Sequence, residues 1–137
     1  MAIVEELLRA EEDGAISFGN HKLAQKAKKE ESLQAGDVYK VKTYQAMTKL
    51  EKDGMFLYES VPGTSVLEFR ETDKGVEFIA EGNEDSQITI GLKEDTEYEV
   101  FVGGTSIGRM STGLGGKLSL SVELGTAGEV PVKVIQA

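Results

Sequence analysis

The chain has no cysteine, no tryptophan, one histidine and two prolines among its 137 residues. Without cysteine there are no disulfides, no thiolate nucleophile and no cysteine-rich zinc site. Small secreted domains often depend on disulfides, so the expected location is the cytoplasm. The lone histidine, His21, excludes a histidine-based metal site by number, and any catalytic triad would have to use it. It stands in a polar stretch beside Lys22, and no Gly-x-Ser-x-Gly surrounds a serine. Ser17, Ser60 and Ser119 lie instead on strand-like stretches. His21 therefore reads as an exposed surface residue.

Other absences narrow the field further. No apolar run approaches the ~20 residues of a spanning helix, and Glu5 and Glu6 stand where a signal peptide carries positive charge. Neither membrane insertion nor secretion by that route is expected. No Asp-x-Asp-x-Asp-Gly loop is present for calcium. Gly113-Leu-Gly-Gly116 lacks the Lys-Ser/Thr ending of a phosphate loop and precedes a strand pattern, so it reads as a hairpin turn. The remaining catalytic chemistry is paired carboxylates, Glu84/Asp85 and Glu94/Asp95, which 24 acidic residues would generate without function. The expectation is no catalytic residue, no cofactor and no metal.

Net charge is −9 and unevenly spread. Residues 1–60 carry nine Lys/Arg against eleven Asp/Glu, while 61–137 carry six against thirteen, giving −2 and −7. Nucleic-acid affinity comes mostly from neutralising phosphates, so this balance argues against such a partner. The one concentrated basic patch, Lys22, Lys26, Lys28 and Lys29, falls in the polar stretch 20–35. That stretch reads as a solvated loop balanced by Glu30 and Glu31, with anion docking as its functional alternative.

What the chain does contain is turns. Asp53-Gly54, Pro62-Gly63, Asp73-Lys-Gly75, Gly82-Asn83, Lys93-Glu-Asp95, Gly103-Gly104, Gly115-Gly116 and 125–128 recur roughly every ten residues. Between them lie runs rich in Val, Ile, Phe, Tyr and Thr, the pattern of an all-β antiparallel sandwich or barrel. Residues 1–18 read as a hairpin about Asp13-Gly14, a short helix at the start being the alternative. From Asp37 to Tyr44, Val38, Lys40, Lys42 and Tyr44 oppose Tyr39, Val41 and Thr43. Strands are predicted at about 55–61, 64–70, 76–81, 86–92, 97–102, 105–111, 117–124 and 130–135. Pro131 predicts that the last of these lies at a sheet edge. Two β-rich halves, 1–66 and 67–137, follow, packed separately or as one domain. The tyrosines and phenylalanines read mainly as core, with a sugar-stacking platform as the functional alternative.

Several stretches carry a family resemblance: Ile16-Ser-Phe-Gly-Asn20, Gly36-Asp-Val-Tyr-Lys-Val-Lys-Thr43, Phe56-Leu-Tyr-Glu-Ser-Val-Pro-Gly-Thr64, Gln87-Ile-Thr89 and Asp95-Thr-Glu-Tyr-Glu-Val100. On these the chain resembles small bacterial proteins labelled endosialidase. The label implies glycan chemistry, yet sialidases grip the substrate carboxylate with an arginine triad beside a tyrosine nucleophile. Here the three arginines, Arg9, Arg70 and Arg109, are scattered over a hundred positions.

Residues 10–66, with the order Asp13-Gly14 turn, polar loop, Gly36-Asp-Val strand, Asp53-Gly54 turn and Phe56-Leu-Tyr strand, are similar to the tryptophan-activated RNA-binding attenuation protein. That resemblance implies a short β-sandwich assembling into rings through strand pairing. The basic RNA contacts are not matched: the pair before the turn glycine reads Glu51-Lys52-Asp53, and Ala35 stands where a lysine would.

The expected function is a non-enzymatic homo-oligomeric scaffold or binding module. A glycan-directed protein, binder or glycosidase, is the second class, and a small-ligand or RNA regulator the third. Self-association is expected through the strand Asp37–Tyr44, which has no proline.

Overall fold

The computed structural model describes residues 3–33 and 36–137. Two antiparallel sheets face each other, as the turn spacing predicts, and neither closes into a barrel. The strands are β1 (Leu8–Ala10), β2 (Ile16–Phe18), β3 (Ala27–Leu33), β4 (Asp37–Tyr44), β5 (Met47–Lys52), β6 (Met55–Val61) and β7 (Thr64–Thr72). They continue with β8 (Gly75–Gly82), β9 (Ser86–Gly91), β10 (Glu97–Val102), β11 (Thr105–Ser111), β12 (Lys117–Val122) and β13 (Val130–Gln136). One sheet runs β1-β2-β7-β8-β13-β10-β11 and the other β12-β9-β6-β5-β4-β3. Both sheets draw strands from residues 1–66 and from 67–137. No helix of the described residues is long and apolar enough to cross a membrane.

Local chemistry explains the turns. Asp53 and Gly54 have φ of 51° and 79°, the positive pair that a two-residue hairpin with right-handed twist needs. At the N-terminal hairpin, Glu11 N donates to Ala15 O (2.8 Å), and Asp13 Oδ1 accepts from Ala15 N (3.1 Å). The predicted pairing of β1 with β2 is present, Leu8 opposite Phe18 and Ala10 opposite Ile16.

Alternation then fills the space between the sheets. Tyr39, Val41, Leu50, Tyr58, Ile88, Ile90, Leu118 and Leu120 from one sheet meet Phe18, Val66, Phe69, Phe78, Tyr98, Val100, Val132 and Val134 from the other. Phe18 and Tyr58 cross edge to face at 5.2 Å between centroids, and Phe69 stacks on Phe78 at 5.7 Å.

Three expectations are corrected. The stretch 20–35 is not a loop throughout, because Ala27–Leu33 forms β3 in full register with β4, from Ala27 opposite Thr43 to Leu33 opposite Asp37. Its Lys/Glu content is poor in strand formers, so pairing with β4 rather than local preference creates it. Consequently β4 lies between β3 and β5 and has no free edge. Pro131 does not mark an edge either, since β13 lies between β8 and β10. The Pro131 carbonyl accepts from Gly103 N (2.8 Å), beyond the point where β10 ends at Val102. A residue's nitrogen and carbonyl share one side of a strand, so the missing donor faces a place where the ladder has already stopped.

Candidate functional site

His21 is not on the surface: 1% of it is exposed. Its Nδ1 lies 2.7 Å from Ser65 Oγ, which also accepts from His21 N (3.2 Å), while Asn83 Nδ2 donates to His21 O (3.1 Å). Burial, with Lys22 adding to it against the opposing pull of Glu81, keeps the imidazole below its ordinary pKa. Neutral imidazole is therefore favoured. The neighbouring hydroxyls are equally enclosed. Thr48 Oγ1 donates to Thr64 O (2.7 Å), accepts from Thr64 N (3.1 Å) and lies 2.8 Å from Thr43 Oγ1. Thr64 Oγ1 in turn lies 2.8 Å from both Tyr58 Oη and Ser60 Oγ, and burial pushes the Tyr58 phenol well above its usual range. Gly19, at φ 94°, packs against Thr64, where an added Cβ would meet the Thr64 carbonyl oxygen. The Thr43, Thr48, Ser60, Thr64 and Ser65 hydroxyls, the Tyr58 phenol and His21 Nδ1 each bond to another group inside the sandwich. A serine–histidine contact exists here, but Ser65 is fully buried and offers no substrate access.

The other singled-out residues are dispersed. Lys22 donates to Asn83 Oδ1 (3.1 Å) and Lys29 to Glu6 O (3.0 Å), whereas Lys26 lies over the Tyr44 ring at 5.8 Å. Glu84/Asp85 and Glu94/Asp95 sit on exposed segments flanking β9. Among the described residues, no group of three or more His, Asp or Glu is placed to hold a metal. Tyr39, Tyr58 and Tyr98 are core, as expected, while Tyr44, Phe56 and Phe101 are half-buried.

Two surface features stand apart from this network. The first is a cleft of about 550 Å³ at the end of the sandwich formed by the β5–β6 and β7–β8 turns. Leu57, Val76, Leu92 and Tyr98 contribute its apolar lining. Phe56 lines it with the Lys117 ammonium 4.5 Å above the ring. At its rim Lys52 bridges Glu71 (3.2 Å) and Asp37 (3.6 Å). Partial burial opposes the charge of Lys52, but Glu71 and Asp37 outweigh it and hold the ammonium above its ordinary pKa.

The second feature is the pair of strands that ends both sheets on one side. β1 lies against β3, so β11 and β12 end the sheets opposite. β11 is exposed on both faces and carries a bulge opposite Val100/Phe101, with Gly108 at φ 112°. β12 is regular: six uninterrupted pairs with β9, buried Leu118, Leu120 and Val122 alternating with exposed Lys117, Ser119 and Ser121. No proline, bulge or inward charge protects its outer edge. Sequence reasoning predicted this strand but missed the edge, because strand order depends on pairings that local pattern does not carry.

Comparison with family models, with curated proteins and with solved structures returns no match to this chain.

Proposed function

We propose that the protein is a non-catalytic binding module that assembles with copies of itself through the outer edge of β12. The carrying observation is the unprotected regularity of that edge. A free ladder of N–H and C=O groups on a flat strand recruits another strand unless charge, proline or a bulge blunts it. Closed assemblies satisfy such edges without open-ended growth. The enclosed His21, Ser65 and Tyr58 favour a structural use of the residues that would otherwise suggest catalysis. Light scattering across a dilution series tests the reading. A discrete multiple of 14.8 kDa is expected, and a single 14.8-kDa species at micromolar concentration overturns it.

A glycan-directed module is the second reading, favoured by the half-buried Phe56 ring among carboxylates and lysines in the cleft. A sugar stacking there would displace Lys117. Glycan-array binding that Phe56→Ala abolishes is the expected result on this reading. Turnover of fluorogenic sialosides that disappears in Glu94→Gln/Asp95→Asn would replace both readings with a hydrolase.

A further inference from the structure

The outer face beside β3 carries a row of like charges that the fold does not need. Lys28 is directly opposite Lys42, and Lys42 directly opposite Lys49, so three lysines stand in line across β3, β4 and β5. Residues opposite one another share a face at about 4.8 Å between strands, and like charges placed so are destabilising. Lys49 has Glu51 within reach (3.7 Å), but among the described residues Lys28 and Lys42 form no ion pair. The adjacent row is different: Lys40 stands between Glu30 and Glu51, a complementary arrangement. The repulsion is thus confined to one row, and that row runs out to β3, the last strand of its sheet, which has β1 of the other sheet beside it.

We infer that β3 with this lysine row is a docking edge for an acidic, extended segment of a partner protein. A strand added to β3 places alternate side chains on the outer face, the nearest beside Lys28. A lysine arm spans one strand spacing, so Lys42 reaches the same carboxylate from the strand behind. The incoming charge relieves the repulsion, and the backbone groups of β3 that face away from β4 supply the ladder. The same charges reject wrong partners: an edge without carboxylates, such as β12 with its single Lys117, gains no ion pair here, and a basic strand is repelled. A peptide backbone can extend the ladder at β3, which a polyphosphate chain cannot, and the −9 total charge leaves little of the long-range attraction on which phosphate-chain binding depends.

The test is fluorescence anisotropy of a labelled Glu-Thr-Glu-Val-Glu-Thr-Glu peptide, with backbone hydrogen exchange read in parallel. Binding that weakens with salt and slows exchange across Ala27–Leu33 is expected. Lys28→Glu/Lys42→Glu should weaken it about tenfold, and the lysine-for-glutamate peptide should not bind. Ser119→Lys/Ser121→Lys, on the far edge, should leave peptide binding unchanged, which separates this inference from self-assembly. Peptide binding indifferent to the charge reversal, or without protection of β3, overturns the inference. So does a single-stranded oligonucleotide or heparin that binds this face while the peptide does not.

Discussion

The end of the sandwich around His21 and the edge at β12 use polar groups in opposite ways. At the first, imidazole, hydroxyl, phenol and backbone amide bond to each other at almost no exposure. At the second, apart from Lys117 at its first residue, the side chains are serine, leucine and valine, and the strand's outer side offers the backbone's own polar groups. The residues that look reactive are thus enclosed, and the strand that looks ordinary lies at the end of its sheet. Side-chain chemistry alone draws attention to the enclosed end; strand order draws it to the edge.

This contrast breaks most visibly at Thr48. Replacing it with valine keeps the shape but leaves the Thr64 amide and carbonyl and the Thr43 hydroxyl short of a partner. A loss of about 3 kcal/mol in urea unfolding is expected, since each orphaned buried group costs about 1–3 kcal/mol and the groups form one network. The particle mass at equal folded fraction should stay the same. If Thr48→Val dissociates the assembly while still folded, the two regions are not independent.

Ser65→Ala comes next, at about 1–2 kcal/mol, because it removes the hydroxyl that accepts from His21 N and hydrogen-bonds with the imidazole Nδ1. Differential scanning calorimetry measures it. A change near zero would mean that the serine–histidine contact is not part of the structural network.

The pH response sharpens the same point. The folded-state pKa of His21 is depressed, by burial first and Lys22 second, with Glu81 opposing. The unfolded chain therefore takes up the proton more readily than the native one. Stability from this group is full above about pH 6.5, falls as pH drops towards the depressed native value, and levels off below it. Urea midpoints from pH 7.5 to 5.0 should decline in the native sequence and decline less in His21→Gln. Equal slopes in the two proteins would remove His21 from the account.

The smallest stability effect is expected at the other region. Ser119→Lys/Ser121→Lys places charge on exposed positions of β12 and should change unfolding by no more than about 0.5 kcal/mol. Light scattering should nonetheless show a smaller particle, because charge on an edge discourages strand addition. An unchanged mass would move the assembly contact elsewhere, β11 being the other edge on that side.

How much of this was readable in advance follows from what each feature depends on. The alternation of Tyr39, Val41 and Thr43 with Lys40 and Lys42 correctly separates the inner from the outer face. The Asp53-Gly54 turn and the strands from Met55 onward are placed to within a few residues, the largest differences being β7, which runs on to Thr72, and β12, which ends at Val122. Thr43 was legible as inward-facing, yet its bond to Thr48 and the link to Thr64 were not, because three separate strands bring them together. The lysines of β4 were visible, but their alignment with Lys28 and Lys49 required the register of two pairings.

The amino-acid sequence by itself therefore determined the class: all-β, antiparallel, turn-rich, with one apolar face on most strands. Those properties rest on backbone constraints at turns and on a two-residue period, both of which act over a few neighbouring residues. Only the tertiary structure decided that the lysine-rich stretch 27–33 is a strand, that His21 is enclosed, that β13 is interior, and that β12 is left at the edge. Each of these is fixed by which distant strand lies alongside. His21 bonds to Ser65, forty-four positions away, and β13 reaches back to β8. Strand order is a choice among global packings of the same locally legible pieces, made by the burial they achieve together.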